Sequence, residues 1–137
     1  MKLLQKAEQL SGLERMMRLI AEADEHSRRF LLSQRIKMLL AMPEPMAVEA
    51  LRDMISILAA MAEADRQRMV DTRTKLMAEL SDEDQLKMVR LRANATNGLP
   101  PEAVNMDTAA MIKSMSQLPA EKRAAIMRAM DKVLFGV

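Results

Sequence analysis

Leu80-Ser81-Asp82-Glu83, Leu99-Pro100-Pro101-Glu102 and Leu118-Pro119-Ala120-Glu121 begin 19 residues apart. The same interval, counted toward the N-terminus, reaches Met61-Ala62-Glu63, Met42-Pro43-Glu44, Ala23-Asp24-Glu25 and Leu4-Gln5-Lys6, so that seven units tile Leu4 to Gly136. A fixed period of this length marks stacked supersecondary units, and it restricts the fold before any single residue does.

Counted from each opener, position 10 reads Leu13, Leu32, Leu51, Val70, Val89, Thr108 and Met127. Position 17 reads Ile20, Leu39, Leu58, Met77, Thr96, Met115 and Leu134. Position 13 alternates between Met and Arg (Met16, Arg35, Met54, Arg73, Arg92, Met111, Met130), which predicts the edge of a buried stripe. Steps of three or four residues between these positions put them on one helix face, so each unit reads as one amphipathic helix of about 14 to 16 residues.

Punctuation agrees with that reading. Ser81 with Asp84, and Ser11 with Glu14, have capping-box spacing, in which a side-chain oxygen accepts from an amide that the first turn leaves free. Pro45, Pro101 and Pro119 sit where a first-turn proline costs no hydrogen bond. Asn97-Gly98 predicts a left-handed helix stop. The joints at residues 23–26 and 62–67 contain neither Gly nor Pro, which leaves open either turns or kinks in continuous helices.

One-stripe helices need partners, and short joints favour packing on the next helix. The expectation is a single all-helical domain over residues 1–137: a short α-solenoid of helical hairpins, with a compact antiparallel helical bundle as the alternative. The Leu-Pro-x-Glu openers resemble those of helical solenoids of the armadillo and HEAT kind and of the N-terminal superhelix of bacterial magnesium transporters. This resemblance spans about forty residues toward the C-terminus, implies a helical stack and carries no function.

The chain has 137 residues, 50% hydrophobic and only 1% aromatic, with 16 Met, no Cys, no Trp and no Tyr. Thirteen of the fifteen internal methionines, all but Met46 and Met106, fall at stripe positions and read as adaptable core filler. The other reading is that part of the stripe is exposed until a partner covers it. The C-terminal unit, with Met127, Met130, Leu134 and Phe135, is its candidate contact surface.

Absent residue types narrow the chemistry. Without Cys there is no disulfide scaffold, thiolate nucleophile or iron–sulfur site. Three scattered glycines, Gly12, Gly98 and Gly136, form no phosphate-cradling loop. His26 with Glu22 has i, i+4 metal spacing, but one pair leaves such a site half built, and nothing beside His26 looks like an activated nucleophile. Asp82-Glu83-Asp84 opens a predicted helix, where carboxylates complement the dipole. The expectation is therefore no enzyme, no cofactor and no metal.

Net charge is only +2. Arg28, Arg29, Arg35 and Lys37 nevertheless form one acid-free segment, and Lys87 and Arg90, followed by Arg92, lie in another. These residues are candidate partner contacts. The expected function is a non-catalytic protein–protein interaction module, an adaptor or accessory subunit. The alternative is a nucleic-acid-associated helical protein that turns the same basic faces toward phosphates. No run approaches the roughly 20 apolar residues that cross a bilayer, and no secretory core opens the chain. That favours an intracellular site, cytoplasmic or inside an organelle, and not secretion.

Overall fold

In the computed structural model, which describes residues 2–136, helices and repeat coincide. The elements are α1 (Lys2–Glu22), α2 (Glu25–Ala41), α3 (Glu44–Ala60), α4 (Glu63–Ala78), α5 (Asp82–Thr96), α6 (Pro101–Met115) and α7 (Ala120–Phe135). From α2 onward the helices start 19 residues apart. No strand occurs among the described residues.

Local chemistry explains most boundaries. Asp24 caps α2 by accepting from the Ser27 amide at 2.8 Å, a bond that also holds its carboxyl below the usual range. Ser81 caps α5, accepting from the Asp84 amide at 3.2 Å. Pro43 precedes α3 with Pro45 in its first turn, Pro101 opens α6 and Pro119 caps α7.

Two local expectations are corrected, and a third point, left open by the sequence, is decided. Ser11 caps nothing, because α1 runs unbroken through Ser11 and Gly12 for 21 residues. Asn97-Gly98 is not a left-handed stop; Asn97 stays right-handed, and Gly136 is the one described residue with positive φ. Gly98 instead leaves room for the Arg52 guanidinium, which a Cβ would strike. The joints at 23–26 and 62–67 are real breaks, so Glu22 and His26 belong to different helices and have no i, i+4 relation.

Packing corrects the expected pairing as well. Hairpins of sequence neighbours are not the building block: α4 packs chiefly on α6, α5 on α3 and α7, and α2 on α4. Contacts between third neighbours, α3 with α6 and α1 with α4, come next. Bonds from Glu25 to Lys75 and from Arg29 to Glu79 step in the same direction along α2 and α4, so the two run parallel. Gln67 with Ala110 and Asp71 with Ser114 show the same for α4 and α6. The cause lies in the joints: Met61 and Ala62, for example, are both extended (ψ 160° and 144°), which carries the chain away from the helix it leaves.

The core follows the stripe, with a drift along the stack. Positions 10 and 17 are buried in the N-terminal and central units (Leu32, Leu51, Val70; Ile20, Leu39, Leu58). Position 14 is buried as Met17, Ile36, Ile55 and Thr74, yet exposed as Ile112 and Asp131. Position 9 does the reverse, from exposed Leu31 to buried Met69, Met88, Asp107 and Ile126. Met46 and Met106, off the stripe, are exposed as their spacing predicts, whereas the on-stripe Met38 and Met127 are also exposed.

Candidate functional site

The first four amides and last four carbonyls of every helix lack partners within it. Here long side chains from other helices reach those carbonyls. Arg28 donates to Ala21 O and Ala23 O at the end of α1 (3.3 and 2.7 Å), and Arg66 to Leu58, Ala59 and Met61 O at the end of α3. Gln85 reaches Met77 O, and Arg123 reaches Ser116 O. These four residues share position 6 of the repeat. Lys87 caps α2 at Leu40 O (2.7 Å), and Arg52 caps α5 at Ala95 O (3.0 Å). Cations at helix C-termini also meet the favourable end of the dipole.

The basic candidates are thus largely spent inside the fold. Arg28 is only 8% exposed and also donates to Thr72 Oγ1, which corrects its expected place on a free face beside Arg35. Half-buried Arg35 contacts Met16 Sδ, Arg29 pairs with Glu79 and Arg90 with Glu44. Lys37 is exposed and has no partner among the described residues. No continuous basic face results.

What the structure does assemble is an apolar cleft of about 370 Å³, walled by α3 to α7 and by Ile36 of α2. Four consecutive position-13 side chains line it: Arg73, Arg92, Met111 and Met130. Met77, Met88, Met115 and Ile126 complete its apolar wall, while exposed Asn94, Asn97 and Leu134 stand among its lining. Met130 and Leu134, two of the C-terminal candidates, therefore belong to this cleft; Met127 and Phe135 do not.

One wall is electrostatically unusual. Asp107 of α6, 1% exposed, accepts a fork from Arg73 (3.0 and 3.3 Å) and a bond from Arg92 Nε (3.0 Å). Burial pushes its carboxyl up, but the Arg73 and Arg92 charges and bonds outweigh that and hold it below the usual range. Two guanidiniums face one carboxylate, which leaves one positive charge in an apolar setting. Behind this trio, Gln67 donates to Asp71, Ala110 O and Ser114 Oγ, and Ser114 donates to Asp71. No buried side-chain nitrogen or oxygen lacks a partner among the described residues.

Arg73 and Arg92 stand at the stripe edge that their spacing predicts, whereas the burial of Asp107 is not predicted by it. The signal was present: an acid at position 9, where other units carry Leu31, Ala50, Met69, Met88 and Ile126. Among the described residues no cluster of His, Asp and Glu offers metal-binding geometry, and no helix is long and apolar enough to cross a membrane. Comparison of the chain with protein-family models, curated proteins and solved structures finds no match.

Proposed function

We propose that the protein is a non-catalytic interaction module, an adaptor or accessory subunit that works by docking onto another protein or a second copy. The outer face of α7 supports this reading. Met127, Leu134 and Phe135 share that face by helical spacing and are 51%, 60% and 72% exposed, with no described element covering them. Full burial of one such side chain is worth about 1.5 to 3 kcal/mol, so a partner that covers all three gains a large part of a useful affinity. The nucleic-acid reading draws less support, because of its six candidate residues Lys37 alone is exposed without a partner among the described residues.

Light scattering behind size-exclusion chromatography tests the reading, with refractive-index detection because the chain has no Trp or Tyr. The wild type should gain mass with concentration, or bind a partner from its own cell extract. Leu134→Lys with Phe135→Lys should abolish that while leaving helical dichroism intact, since lysine suits a helix C-terminus. A wild type that stays monomeric and captures the same proteins as the double variant overturns the reading.

A further inference from the structure

The cleft calls for an occupant of its own and shares only Leu134 with the exposed face of α7. Its volume of about 370 Å³ lies within the range of small-ligand sites, about 300 to 1,000 Å³. Its wall is aliphatic and rich in methionine, a side chain that moulds to irregular apolar ligands.

Charge selects the head of that ligand. Arg73 and Arg92 are the charged residues of the lining, which contains no Asp or Glu. Asp107 neutralises one of them from behind, and the side chains stay 20% and 24% exposed, so both can still be reached from the cleft. Arg73 Nε and Arg92 Nη1 take part in none of the hydrogen bonds among the described residues. A guanidinium is a planar fork that fits a carboxylate, and a charge-assisted bond at an apolar wall is stronger than its counterpart in water. We propose that the cleft is a binding site for a single-chain amphiphile with a carboxylate head: the head meets Arg73 and Arg92, and the tail runs along Met77, Met111, Met115 and Met130.

Isothermal titration below the micellar range, with dodecanoate, dodecanol and dodecyltrimethylammonium as probes of equal chain length, tests this site. Dodecanoate should bind saturably and at least about tenfold more tightly than either control. Arg92→Met leaves the Arg73–Asp107 pair neutral and intact, and should bring dodecanoate down to the dodecanol level. Met130→Glu, on α7, puts an anion into the cleft while keeping both arginines and should weaken dodecanoate, which keeps the test open if the first variant folds poorly. Equal binding of the three probes, no binding at all, or dodecanoate affinity unchanged in both variants overturns the assignment. Preferential binding of a model amphipathic helix with one glutamate overturns it too, in favour of a peptide occupant.

Discussion

At the scale of the residue, several basic side chains serve as internal fittings. Arg28 shows it best: its guanidinium satisfies two carbonyls at the end of α1 and a threonine hydroxyl on α4. Hydrogen bonds to a charged donor are worth about 1.5 to 3 kcal/mol each in favourable cases, so Arg28→Ala should cost about 2 kcal/mol or more by thermal melt. Lys37→Ala, on an exposed side chain, should stay within about 0.5 kcal/mol. Equal effects would return Arg28 to the surface. Asp107→Asn removes the shared anion from two guanidiniums and should cost about 3 kcal/mol, the lower end for a broken buried pair because both arginines retain some solvent. Because the Asp107 carboxyl sits below its unfolded value, its contribution is complete above about pH 4 and fades as pH falls through its folded value. Wild type should therefore lose melting temperature more steeply than Asp107→Asn between about pH 5 and pH 2; parallel profiles would exclude this role.

Among the elements, α4 and α7 are opposites. α4 carries a run of polar residues, Gln67, Asp71, Thr72, Arg73 and Thr74, yet it packs on α1, α2, α6 and α7 and forms the hub of the stack. It holds that place through bonds: Gln67 and Asp71 to α6, Thr72 to Arg28 and Arg73 to Asp107. α7 packs mainly on α5 and α4, and its buried side chains are Ile126 and Ala129. Truncation after Gln117 should therefore keep helical dichroism for the remaining six helices, with a lower and broader melt, as expected of a stack stabilised by neighbour contacts. Loss of all structure on that truncation would mean that the seven helices fold as one closed bundle instead.

For the whole molecule, a net charge of +2 says little about partners, because opposite charges are paired across helices: Lys6 with Asp53, Arg29 with Glu79, Lys75 with Glu25 and Arg90 with Glu44. Hydrogen bonding to Asp53 raises the Lys6 pKa, and hydrogen bonding to Lys75 lowers that of Glu25. Such exposed pairs orient neighbouring helices more than they stabilise them. The association proposed for α7 would be apolar, so raising salt from roughly 50 to 500 mM should leave its mass distribution unchanged, a range over which contacts to phosphates would fall by orders of magnitude. Salt-induced dissociation would move the interface from α7 to a charged surface.

The helix count, the 19-residue phase, the Ser81 cap and the first-turn prolines were all legible in the sequence, because each depends on groups within a few residues of one another. Hydrophobic period and backbone capping are local physics, and they were enough to establish an all-helical repeat. The choice of second neighbours over hairpins was not legible, since extended joints such as Met61-Ala62 carry no Gly or Pro to announce them. Nor was the drift of the buried face from position 14 toward position 9, which places Asp107 inside, because it arises from how helices distant in sequence share space. The cleft has the same origin: Arg73, Arg92, Met111 and Met130 stand on four separate helices, and only the packing of those helices brings one unbalanced charge against a methionine wall.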